Sequence, residues 1–288
     1  VNLSSKNPHI AHLLEINLAM LFVSTSGALG RFIQLPVPIT IASRAILAFF
    51  ILYFFCKWKG ISLDIKKKDW LPILMSGIFM GLHWLTYFYA LKLSNVAIGM
   101  LSLFTYPVIT SLLEPILLKT KFLKIHLLLG IMVLAGIYFL VPKFEMGNSY
   151  ALAVGVGVLS ALFYALRNLV LKARVKNYNG SALMCYQMVI VGGLLFPAFF
   201  FFETDGVSNQ WKGLLTLALV TTAIGHTLFL NSFKYFSITT ASIISSVQPV
   251  YGIIIGAIFL AEIPSIMTIF GGVLILGSVV IESVRTYR

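Results

Sequence analysis

Ten times along this chain, roughly twenty residues pass with almost no charge. The runs cover about 12–33, 38–57, 70–91, 94–118, 123–141, 149–171, 182–202, 211–234, 238–261 and 264–284. About 20 helical residues cross a hydrocarbon layer of about 30 Å. Inside that layer every backbone N–H and C=O must find its partner within the protein, so a run of this length is stable there as an α-helix. A soluble fold is closed off by composition: 10% of the residues are charged and 59% hydrophobic, against about 25% charged in a soluble domain. The expected fold is an all-α membrane protein of ten transmembrane helices. The first run, with Glu15 and Arg31 at its ends, is read as a retained span and not a cleaved leader.

The formal net charge of +12 would suit a nucleic-acid partner. Its distribution argues otherwise. Of the 21 Lys and Arg, fifteen fall on one side of the expected spans and four (Arg31, Lys92, Lys143 and Lys212) on the other, with Arg44 and Arg167 inside runs. Positive residues accumulate on the cytoplasmic side of membrane proteins. Both termini are therefore expected in the cytoplasm, in a bacterial inner membrane, with lipid and not nucleic acid as the surrounding partner. Cys56 and Cys185 are expected to stay reduced, and neither a metal nor a cofactor is expected.

The runs repeat. "ALKLSNVAIGMLSLFTYPVI" (90–109) and "SFKYFSITTASIISSVQPVY" (232–251) each place a lysine fifteen residues before a Pro-Val. Lys92 and Lys234, Pro107 and Pro249, and Gly130 and Gly272 are all 142 residues apart; Trp70 and Trp211 are 141 apart. Five spans per copy is an odd number, so the second copy enters the membrane from the opposite side. Two inverted five-helix repeats are expected, 1–146 and 147–288. Such repeats place a transporter's site near the midplane between them.

"FYALKLSNVAIGMLSLFTYPVI" followed by Gly130, and "FKYFSITTASIISSVQPVYGIIIGAIFLAE" followed by "GGVLILG", resemble the EamA-type repeat of the drug/metabolite transporter superfamily. "PVPITIASRAILAFFIL" is similar to that family's Pro…Arg second span. The resemblance implies ten helices in a 5+5 inverted arrangement and export or exchange of small metabolites such as amino acids. The chain departs from the pattern where the fourth span ends in "LLKTK", whereas "FLAE" keeps Glu262 in the ninth. Gln187 stands where the first half has Arg44.

Residues that hydropathy does not explain are the site candidates. Charges within spans are costly and point to function. Glu114 and Arg167 lie at similar depth and are expected to pair as an inner gate, with assembly or snorkelling as the alternative. Arg44 is expected to be structural, capping helix-end carbonyls. His83 and His226 occupy equivalent spans; proton coupling and a neutral cavity-lining role are both open. Trp84, Tyr87, Tyr106, Tyr164 and Tyr251 could stack on a ligand or pack helices. Thr110, Ser246 and Gln248 add polar groups near the two prolines. A helical proline lacks a donor and clashes with the preceding turn, so Pro107 and Pro249 are expected to break their helices and act as hinges. The glycines at 130, 136, 271, 272 and 277, and the stripe Ser242–Ser246–Pro249–Gly252–Gly256, read as close helix packing.

The function expected from these features is a secondary transporter working by alternating access on a small-molecule substrate. A channel-like facilitator is the alternative. No P-loop pattern is present, so ATP is not the expected driver, and an intramembrane transferase is disfavoured, because the sequence has no HExxH, no Asp-rich motif and no Asp within a span. Monomer and homodimer are both open.

Overall fold

In the computed structural model the described residues are 8–118, 124–140, 149–172, 174, 177–236, 241, 244–245 and 247–287, and among them every regular element is helical. The helices are α1 (Pro8–Phe32), α2 (Val37–Trp58), α3 (Trp70–Leu93, entered through a 3-10 turn at Lys67–Asp69), α4 (Val96–Leu103), α5 (Tyr106–Leu118), α6 (Ile125–Leu140), α7 (Ser149–Lys172) and α8 (Gly180–Leu195). They continue as α9 (Ala198–Phe201), α10 (Trp211–Thr216), a π-helix (Leu217–His226), α11 (Thr227–Ser232), α12 (Gln248–Leu260) and α13 (Ile266–Tyr287). Seven stretches are long and apolar enough to cross a membrane: Ala11–Phe32, Val37–Trp58, Lys67–Leu93, Val96–Leu117, Ser149–Lys172, Gly180–Phe201 and Trp211–Ser232. Three shorter apolar helices accompany them, Leu128–Phe139, Gln248–Leu260 and Ile266–Ile281. They occupy the fifth, ninth and tenth expected runs.

Local chemistry sets the helix ends. Asn95 Oδ1 accepts from Ile98 N at 2.9 Å and Asn179 Oδ1 from Ser181 N at 2.9 Å, each satisfying an N–H that a first helical turn leaves free. Pro107 and Pro249 both fall in a first turn, where a missing N–H costs nothing. The fourth run accordingly breaks at Phe104–Thr105. α4 closes with Phe104 N on Met100 O (3.0 Å), and the chain resumes with Ile109 N on Thr105 O (3.2 Å).

The packing is inside out by soluble standards. Phe50, Phe54, Trp58, Phe200, Phe201 and Phe259 are exposed, whereas Ser24, Arg44, Ser76, Ser102, Ser160, Arg167 and Gln187 are buried. An exterior of this kind is stable against lipid tails, and the protein is an integral membrane protein. α3 lies along α7, α2 along α8 and α6 along α13; α1 packs on α12 and the π-helix, and α4 on α7 and α12. Small residues permit these approaches. A Cβ on Gly157 would stand 2.0 Å from Ser102 Oγ of α4, and one on Gly252 2.0 Å from Met100 Sδ. Gly136 abuts the Gly271 carbonyl in the same way. Gly130 and Gly277 do not: a Cβ there meets nothing within 4 Å. Cys56 and Cys185 are free and buried.

Candidate functional site

Three side chains near the middle of α3 face a small cavity. His83 and Tyr87 are four residues apart, hence on one helical face, and their rings stack at 6.0 Å. Trp84 lies between them and meets His226, at the end of the π-helix, at 5.6 Å. The lining is completed by Val23 and Ser26 of α1, Leu103 and Phe104 at the helix break, Tyr164 of α7 and Gln248 of α12. The cavity is small, about 10 Å³, room for about one water molecule.

The walls are tied together by polar contacts between distant segments. Ser160 Oγ donates to the His83 carbonyl at 2.9 Å and lies 2.7 Å from His83 Nδ1. A hydroxyl has one proton, and here it is spent on the carbonyl. His83 Nδ1 therefore carries the proton that Ser160 accepts. Tyr164 stacks on His83 at 4.6 Å and meets Tyr106 edge-on at 4.9 Å. The Tyr106 hydroxyl bonds Ser245 Oγ at 2.6 Å.

Two fully buried arginines stand behind these aromatic walls. Arg167 of α7 donates through Nη1 to Asn168 Oδ1 (2.9 Å) and through Nη2 to Gln187 Oε1 (2.8 Å). Gln187 in turn donates to Ser76 Oγ at 3.0 Å. Arg44 of α2 has one bond, from Nε to Thr222 Oγ1 of the π-helix at 2.6 Å. Its guanidinium lies 3.7 Å over the Trp84 ring, and Nη1 and Nη2 have no partner among the described residues. Thr222 also donates to the Leu217 carbonyl at 3.0 Å. The wide π-turn is what brings a hydroxyl five residues on into line with that carbonyl. Arg44 thus caps no helix-end carbonyl, contrary to expectation: it is spent on a stack and a hydroxyl.

Carboxylates gather instead at the two ends of α3, about 36 Å apart at 1.5 Å per residue. At the Lys92 end, Arg31 Nε donates to Glu262 Oε1 (2.9 Å), and Glu262 Oε2 accepts Val96 N (2.7 Å) at the start of α4. Ala261, in the left-handed region at φ 54°, turns the chain so that Glu262 reaches that helix end. The Lys92 ammonium donates to the Ile33 carbonyl. At the Asp69 end, Arg174 Nε donates to Asp69 Oδ1 (3.2 Å) and Tyr178 Oη to Asp69 Oδ2 (2.7 Å). That bond to a carboxylate raises the Tyr178 pKa. Glu114 pairs here with Lys172. The expected Glu114–Arg167 pair does not form. Arg167 lies five residues, more than a helical turn, before Lys172 on α7 and turns inward to Gln187, while Lys172, at the helix end, meets the carboxylate.

The EamA-like transporter family model matches residues 12–141 and, separately, 151–284. The chain belongs to the EamA-like transporter family. A similar relative is the pseudopaline exporter CntI of Pseudomonas aeruginosa, 23% identical over 243 residues, 84% of either chain. An uncharacterized transporter of Archaeoglobus fulgidus is 24% identical over 218 residues, 76% of this chain and 78% of its own. A solved crystal structure superposes with a TM-score of 0.72 at 18% identity, covering 96% of this chain and 99% of the other, which shows the fold alone.

Within this EamA-family chain the cavity gathers six of the residues singled out from the sequence: His83, Trp84, Tyr87, Tyr164, His226 and Gln248. Tyr106 lies one layer back, against Tyr164. Thr110 donates to the Tyr106 carbonyl at 2.8 Å and does not line the cavity, nor does Tyr251. Ser246 lies outside the described residues. Sequence reasoning missed Ser26, Ser160 and Thr222, hydroxyls in apolar runs that give no signal until a partner from another helix is beside them. Among the described residues no group of three His, Cys, Asp or Glu side chains could hold a metal ion.

Proposed function

We propose that this protein is a secondary transporter that exports or exchanges a small metabolite, of a size such as an amino acid, by alternating access. The observation that carries the reading is the polar and aromatic cavity midway along α3, walled by α1, α3 and the α4 break from one half and by α7, the π-helix and α12 from the other. Two repeats, 1–146 and 147–288, inverted and of five spans each, form the moving bodies. The double match of one family model supports this division. So does the pairing of helices: α2 with α8 and α6 with α13 join equivalent spans, while α3 with α7 mirrors the π-helix with α1. The exporter named among the relatives supports the direction.

In this reading the state described is an occluded one. A cavity of about 10 Å³ admits no metabolite, and ionic knots hold both ends of α3. Loosening the Glu262 knot opens one side and loosening the Asp69 knot the other. The chain bends between these states where each proline opens a new helix, α5 after the Phe104–Thr105 break and α12 after Val247, because the first turn of a helix has no ladder bonds to the segment before it. By the charge count the termini and the Asp69 end face the cytoplasm of a bacterial inner membrane. Counterflow tests the transporter reading: purified protein in liposomes preloaded with unlabelled solute accumulates labelled solute transiently. A channel or an enzyme gives no such trans-stimulation, and its absence across a panel of metabolites would refute the proposal.

A further inference from the structure

Three fully buried polar atoms that find no partner among the described residues surround one indole: Arg44 Nη1, Arg44 Nη2 and His226 Nδ1. The Arg44 guanidinium lies 3.7 Å over Trp84, and His226 meets the same ring at 5.6 Å. Trp84 and His226 both line the central cavity. Buried polar groups are nearly always hydrogen-bonded, and an unpaired charge in a membrane interior is costlier still. Arginine cannot relieve that cost by giving up its proton. Among the described residues no carboxylate pairs with it: Glu15, Asp69, Glu114 and Glu262 pair with His12, Arg174, Lys172 and Arg31. Arg167, the second buried cation, has only neutral partners.

We propose that the missing partner is the transported solute, and that the solute carries a compact oxyanion, a carboxylate or a phosphate, which docks on the Nη1 and Nη2 fork of Arg44 as the cavity opens. A planar guanidinium fork matches either group with two parallel hydrogen bonds. His226 supplies a third polar contact, and Trp84 holds the guanidinium flat between solute and helix. The inference rests on the transporter reading for the identity of the ligand, not for its charge.

Matched solutes that differ only in the anion test it: an amino acid against its amide, and a hexose phosphate against the hexose. Binding is read by thermal shift of the purified protein and transport by counterflow. At least one anionic member raises the melting temperature while its neutral match does not, and which pair responds separates carboxylate from phosphate. Arg44→Gln weakens that binding about tenfold or more, as for loss of a charge-assisted bond, and Arg44→Lys retains part of it. If Arg44→Gln does not fold, Thr222→Val, which removes the one hydrogen bond that the guanidinium makes among the described residues, weakens anion binding in its place. Anion binding without exchange of any solute supports the site and refutes the transporter. Exchange of amides and sugars as readily as of their anionic matches refutes the site and leaves the transporter standing. Parental anion affinity in folded Arg44→Gln overturns the proposal.

Discussion

Arg44 and Arg167 are equally buried, yet among the described residues Arg167 finds partners for both terminal nitrogens and leaves only Nε free, whereas Arg44 leaves both Nη1 and Nη2 free. Arg167 is built into a relay through Gln187 to Ser76. Arg44 has one hydroxyl and an aromatic face. The difference teaches that a buried cation can serve the fold or be held in reserve, and that its partners tell which. A charge that completes a network stabilises the structure that contains it. A charge with vacant donors is a burden on the unliganded protein and a resource for a ligand.

The largest expected effect tests the engaged member. Arg167→Met leaves Gln187 Oε1 and Asn168 Oδ1 without donors in the interior, at a cost of about 3 kcal/mol, read as a lowered unfolding midpoint in detergent. A change no larger than that of Arg44→Gln would break the comparison. Next comes Glu262→Ala, which removes both the Arg31 pair and the anion at the α4 N-terminus; a loss of about 1–2 kcal/mol is expected, together with easier thiol labelling of a cysteine placed at Ser26 if that end of the bundle opens. Lys172→Ala, at a partly exposed pair with Glu114, costs less than about 1 kcal/mol by the same unfolding assay. The smallest change is expected for Arg44→Gln without solute. The stack on Trp84 is lost, but two unsatisfied donors go with it, so stability shifts by less than about 1 kcal/mol in either direction. A fall comparable to that of Arg167→Met would mean that Arg44 is structural after all.

The prolines extend the contrast to moving parts. Pro107→Ala and Pro249→Ala are each expected to slow counterflow several-fold while leaving solute affinity near its parental value. Parental turnover in both variants would leave a static kink and no hinge.

Much of the architecture was legible along the chain. Apolar runs marked the helices, and the 142-residue offset marked the two prolines that each fall in a first helical turn. Titratable and aromatic residues isolated in apolar runs marked His83, Trp84, Tyr164 and His226, which line one cavity. The pairing of charges was not legible. Glu114 and Arg167 looked matched by depth, but depth says nothing about azimuth, and five residues along α7 were enough to send one side chain inward and the other to the carboxylate.

The sequence by itself determined that this chain is helical and belongs in a membrane, because transfer of each residue to lipid is nearly additive along a helix and hydropathy can be summed locally. Tertiary structure alone decided which buried arginine was left with its Nη1 and Nη2 free among the described residues. The one hydrogen bond of Arg44 reaches 178 residues along the chain to Thr222, through a π-turn that no local pattern announces. Whether a buried charge is satisfied depends on which helix faces it, and that is set by the packing of the whole bundle.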